Sequence, residues 1–134
     1  MTDHYSPKTL NEFLQVLLKS QLLDGDVLKS ALNDFRENEA ENIPKDELRA
    51  FASYLIVHEY LTCWQCDKLR KGQFKGFFLD DYVFRDHVDC DDKCTRYVAE
   101  DIRTGKYVIL AITPRYIKPL KNGKPHYRIE DYNA

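Results

Sequence analysis

Long apolar runs are missing from this sequence of 134 residues: the longest, Tyr107 to Ile112, is six residues, a strand's length and far short of a membrane span. An excess of charge of one sign is also missing. Twenty Lys and Arg face 22 Asp and Glu, for a formal net charge of -2, which argues against a nucleic-acid binder held by bulk charge. The N-terminus has no basic segment before an apolar one, so no secretory signal is read there. The four cysteines are therefore expected as reduced thiols in a cytoplasmic protein. Internal repeats and low-complexity tracts are absent, and so is any Ser, His and acid constellation suited to nucleophilic catalysis. Ser20, Ser30 and Ser53 fall in helical stretches, and Glu12, Glu47 and Glu59 read as solvated helix-face charges. What remains is enough for a core, since 43% of the residues are hydrophobic at the length of one ordinary domain.

The periodicity changes near Gly72. Over 1–72 it is helical. Ser6 and Pro7 read as a cap and first helical residue, followed by Leu10, Phe13, Leu14, Leu17 and Leu18. Asp24 caps a second stripe of Val27, Leu28, Ala31, Leu32 and Phe35. Pro44 starts a third helix with Leu48, Phe51, Ala52, Leu55 and Ile56 on one face. Thr62 caps a short fourth helix holding Trp64, Gln65 and Leu69, which Gly72 terminates.

From 73 to 134 the period is two. Segments 82–88, 95–101 and 107–113 are rich in Val, Ile, Tyr and Thr, and Arg103–Lys106 is a tight connection. Asn122–Gly123 predicts a hairpin between 115–120 and 126–132, which Pro119 and Pro125 push to a sheet edge. The expected fold is α+β: about four short helices packed with an antiparallel sheet of four or five strands. Neither half is large enough for much core of its own, so one cooperative unit is expected. The halves carry net charges of -3 and +1, too mild a difference to name a partner.

Two stretches carry a family resemblance. Leu61, Thr62, Trp64, Gln65, Lys68, Leu69 and Gly72 stand at the spacing L-T-x-W-Q-x-x-K-L-x-x-G, and Gly76, Phe77 and Leu79 follow as G-F-x-L. This resembles the helical segment that precedes the catalytic domain in planctomycete-type serine/threonine protein kinases. Residues 82–114 are similar to the first three strands of a kinase N-lobe, with Tyr97–Glu100 in place of Y-L-A-E and Val108–Ala111 in place of V-A-I-K. The resemblance covers roughly 10–114. It implies a kinase-derived scaffold whose chemistry has been replaced. The three phosphate-loop glycines align with Asp89, Asp91 and Cys94, and with Asp92 this puts three carboxylates where a triphosphate would sit. The strand valine over the adenine aligns with Arg96, and the phosphate-pairing lysine aligns with Ala111. H-R-D and D-F-G occur nowhere, and 20 residues after Pro114 cannot hold the rest of a kinase. The expectation is a chain that is not an enzyme and uses no cofactor.

Three functions are carried forward. The first is a non-catalytic protein-interaction or regulatory module, whose protein partner could be a kinase of the same family. Trp64, Phe77, Phe78, Tyr127 and Tyr132 are its candidate contact residues, and the sheet edge near Tyr127–Tyr132 is open to strand addition or a homodimer. Trp64, Phe77 and Phe78 equally read as core anchors. The second is a structural-zinc protein using Cys63, Cys66, Cys90 and Cys94, a CxxC followed by a CxxxC. Against it, the first pair falls in a capped helix turn rather than on a tight loop. The third is a weak nucleotide or small-ligand binder under the acidic hairpin. Asp89, Asp91 and Asp92 read as a solvated tip rather than a cation site. Arg115, Lys118, Lys121, Lys124 and Arg128 beside Tyr116 and Tyr127 read as edge protection rather than a nucleic-acid surface. No membrane partner is expected.

Overall fold

The computed structural model describes residues 6–38, 46–113 and 125–132. It is an α+β chain of four helices followed by a five-stranded antiparallel sheet. The chain divides into two compact units, Met1–Phe77 and Phe78–Ala134.

In the first unit, α1 spans Leu10–Ser20, α2 Gly25–Asn38, α3 Glu47–Val57 and α4 Cys63–Arg70. Helix α1 does not begin at Ser6–Pro7. It is capped by Thr9, whose hydroxyl accepts from the Glu12 N–H at 3.2 Å while the Glu12 carboxylate accepts from the Thr9 N–H at 3.2 Å. A reciprocal T-x-x-E box satisfies two orphan donors at once, and so outcompetes a serine with no such partner. Asp24 caps α2 as expected, accepting from the Val27 N–H at 2.9 Å. Asp46 caps α3 by accepting from the Arg49 N–H at 3.1 Å, and the expected start at Pro44 lies outside the described residues. Each helix buries one stripe: Leu10, Phe13 and Leu17; Leu28, Ala31 and Phe35; Leu48, Phe51, Ala52 and Leu55; Cys66 and Leu69. These close one core, in which the Phe35 and Phe51 rings lie 5.2 Å apart. No helix among the described residues is long and apolar enough to cross a membrane.

In the second unit, β1 is Phe78–Leu79, β2 Tyr82–Cys90, β3 Thr95–Asp101, β4 Tyr107–Ile112 and β5 Tyr127–Asp131, neighbours in that order. The short β1 has no counterpart in the periodicity. The expected 115–120 strand lies outside the described residues, and β5 pairs with β4, an alignment opened by the Thr113 N–H donating to the His126 carbonyl at 2.8 Å. Two register irregularities in β2, between Phe84 and Asp86 and between His87 and Asp89, add local twist and curl the sheet. Phe84, Ala99 and Leu110 are buried.

The curl brings the two ends of the sheet together. The Tyr127 hydroxyl donates to the Asp80 carboxylate at 2.6 Å, and its ring meets Tyr82 edge-on at 6.4 Å. That bond to a carboxylate, with burial second, holds the phenol proton and pushes its pKa from 10.0 to about 12. The bond's contribution is therefore complete below pH 10.0 and lost as pH rises toward about 12. Denaturant titrations across this window should show a smaller alkaline loss of stability in Tyr127→Phe than in the parent. Some loss remains in the variant, because burial also raises Tyr97 and Tyr54. Equal slopes would show that the Asp80 contact does not act as a latch.

Candidate functional site

The turn between β2 and β3, with the last residues of β2, carries the three aspartates that the sequence places together. It is built around the Asp91 side chain. One carboxylate oxygen accepts from the backbone N–H groups of both Lys93, at 2.7 Å, and Cys94, at 2.9 Å. The Asp91 N–H in turn donates to the Cys94 carbonyl at 2.9 Å. Backbone N–H groups on such a loop are what would receive a phosphate. In this chain a carboxylate of the loop takes two of them. The Cys94 N–H first and the Lys93 N–H second hold the Asp91 carboxyl below its ordinary range, with Arg96 adding a smaller pull.

Arg96 is the hub of the surrounding charge. Its guanidinium reaches Asp89 at 3.2 Å, Asp91 at 3.4 Å and Glu130 of β5 at 3.3 Å. Glu130 also accepts from Arg128 at 2.8 Å, and Arg128 first, then Arg96, keeps its carboxyl low. The bond to Asp89 leads the causes that raise Arg96 still further above its ordinary value. The tip is thus less negative than its three aspartates imply, because Arg96 neutralises part of it.

Ala111 explains how Arg96 can reach so far. In the ladder, Arg96 faces Ala111 and Ala111 faces Arg128, so Ala111 stands between two arginine positions. It is 2% exposed. A methyl group there leaves room for the Arg96 side chain to cross β4 toward Glu130. Its smallness is the property the site uses.

The W-Q stretch is built from packing and capping. Thr62 and Gln65 form a reciprocal box on α4: the Thr62 N–H donates to the Gln65 side-chain Oε1 at 3.0 Å, and the Gln65 backbone N–H to the Thr62 hydroxyl at 3.2 Å. Gln65 is fully buried and has no unpaired side-chain atom. The Trp64 ring meets Phe77 edge-on at 5.8 Å, and the Lys68 ammonium lies 5.5 Å from its centroid. Leu61 and Leu69 are buried, and Gly72 and Gly76 take φ of +85° and +84°, the left-handed region in which glycine alone is unstrained.

Among the contact candidates, Phe77 is 2% exposed and belongs to the core of the first unit, so it presents no surface. Phe78 is 41% exposed, Trp64 and Tyr127 are half-buried, and Tyr132 is exposed, with its ring edge-on to Tyr107 at 5.9 Å. Ile129, absent from the sequence-derived candidates, is also exposed on β5.

All four cysteines are free: Cys63 and Cys90 exposed, Cys66 and Cys94 buried. Among the described residues, no three His, Cys, Asp or Glu side chains converge where they could hold a metal ion. The Cys66 thiol donates to the Ala52 carbonyl at 3.9 Å, and burial first pushes it up to about 12.

The hub role of Arg96 was not foreseen from sequence. The two-residue period does place Arg96, Ala111 and Arg128 in line, but only the register shows that they are neighbours. No family model, curated protein or solved structure matches the chain.

Proposed function

We propose that this chain is a non-catalytic protein-interaction or regulatory module, derived from the N-terminal region of a planctomycete-type protein kinase and stripped of nucleotide chemistry. The observation that carries the reading is the Asp91 carboxylate seated on the Lys93 and Cys94 amides, where the phosphate loop of a kinase keeps its amides open. With Arg96 committed to three carboxylates and Ala111 in the lysine position, the residues that would handle ATP are turned to holding the sheet together. The partner is a protein, and a kinase of the resembled family is the first candidate. The contact surface is β5, last in the sheet order among the described residues, with exposed Ile129 and Tyr132. An extended segment adding to this edge would gain main-chain hydrogen bonds and apolar contacts together.

Titration of the full chain against purified full-length kinases of that family, read by biolayer interferometry, tests this. Saturable binding is expected, weakened about tenfold by Ile129→Lys, a loss of one well-packed interface side chain. Failure to bind any of several such kinases, or binding indifferent to the substitution, would overturn the partner and the surface respectively.

A further inference from the structure

We propose that the outer edge of β5 pairs antiparallel with β5 of a second copy of this chain, about a two-fold axis at Ile129. The proposal rests on the reading of β5 as the contact surface and names an occupant for it. A second copy takes the same edge that a kinase segment would use, so self-pairing and kinase binding exclude each other.

Register fixes which backbone groups face outward. Among the described residues, β5 has a strand on one side only. In an antiparallel ladder, opposite residues alternate between pairs that exchange hydrogen bonds and pairs that do not. The Thr113 N–H donates to the His126 carbonyl, and the β4–β5 register runs on from there without a shift, from Ile112 with Tyr127 to Val108 with Asp131. Ala111 with Arg128 and Ile109 with Glu130 are therefore the next bonded pairs. Tyr127, Ile129 and Asp131 direct their N–H and C=O groups away from β4. The bond from Tyr127 to Asp80 uses the phenol and not the backbone.

Charge selects both the partner and the pairing. A two-fold pairing that overlaps most of the strand centres on Arg128, Ile129 or Glu130. Centred on Arg128 it sets two arginines opposite each other, and centred on Glu130 two glutamates, and like charges directly across a sheet are destabilising. Centred on Ile129 it sets each Arg128 opposite a Glu130 and each Tyr127 opposite an Asp131, with the outward backbone groups facing each other. Exposure agrees with that centre. Ile129 is 53% exposed although its ladder partner Leu110 is fully buried, and Leu110 in turn faces Tyr97. Ile129 ends this row at the sheet edge, and a second Ile129 opposite would cover it. The Arg128 and Glu130 side chains are 64% and 34% exposed, so both present charge to a neighbouring strand. A net charge of -2 is too small to oppose association of two copies.

Sedimentation equilibrium of the full chain alone, from about 1 to about 500 μM, is the test. A five-residue strand covers less than a standard interface, so a reversible dimer with a dissociation constant of roughly 10–100 μM is expected. Arg128→Glu puts like charge opposite Glu130 across the axis, Glu130→Arg does so opposite Arg128, and each should weaken the dimer about tenfold or more. An equimolar mixture of the two variants restores opposite charges and should dimerise as the parent does, a rescue that a purely intrachain role of these residues cannot give. Hydrogen exchange at the Ile129 amide of the parent should slow as concentration rises. That measurement and Arg128→Glu, at an exposed position, decide the matter even if Glu130→Arg does not fold. The proposal is overturned if the parent stays monomeric or forms a species larger than a dimer, if both variants fold and their mixture stays monomeric, or if the Ile129 amide is equally protected at every concentration, which would mean that the edge is already paired within one chain. The kinase titration is run below about 1 μM, where the chain is monomeric, so either reading can fail without the other.

Discussion

Ala111→Lys should cost the sheet about 3 kcal/mol or more. The reason is the row in which Ala111 sits. Its ladder partners are Arg96 on one side and Arg128 on the other, and it is 2% exposed. A lysine would put a third cation between two arginine positions and fill the space through which Arg96 reaches Glu130. Overpacking and like charge directly across a sheet act in the same direction. A loss of this size is a large part of the stability of an ordinary domain. Urea titration of the variant measures it. A variant within about 0.5 kcal/mol of the parent, the range of ordinary surface changes, would mean that the row between Arg96 and Arg128 accommodates a third cation.

Phe77→Ala should cost about 3–5 kcal/mol, as removal of a fully buried aromatic ring does. Its neighbour Phe78→Ala should stay within about 0.5 kcal/mol. The two phenylalanines are adjacent in sequence and opposite in role. Phe77 is in the helical core with its ring edge-on to Trp64, whereas Phe78 is 41% exposed. Far-UV circular dichroism during denaturant titration separates them. If Phe78→Ala proved the costlier change, the packing given to the W-Q motif would be wrong, since Phe77 is what Trp64 packs against.

The helical half was legible because its signals are local. The stripes of apolar residues at helical spacing, the caps at Asp24 and Thr62 and the stop at Gly72 all operate within a few residues, and all appear where the periodicity places them. The start of α1 was misread for an equally local reason: Thr9 and Glu12 form a capping box that a search for Ser and Pro passes over. The three central strands were legible from alternation and composition.

The candidate site was less legible because it depends on register. The acidic turn could be located, but its charge could not be judged without Arg96, whose carboxylate partners come from the turn itself and from a strand 34 residues along. Only the register shows that Ala111 is a buried residue between Arg96 and Arg128. Phe77 and Phe78 could not be told apart by residue type, and only the end of the helical core between them decides which is buried. Spacing pairs the four cysteines, but it does not tell that Cys66 and Cys94 are buried while Cys63 and Cys90 are exposed.

The most direct test of the central claim follows the amides of the β2–β3 turn by heteronuclear NMR while Mg-ATP is added to the full chain. If the Asp91 carboxylate holds the Lys93 and Cys94 N–H groups, their resonances should stay in place up to millimolar nucleotide. Saturable movement of those two amides on adding Mg-ATP would contradict it, because a phosphate would then have displaced Asp91 and the turn would be a nucleotide site.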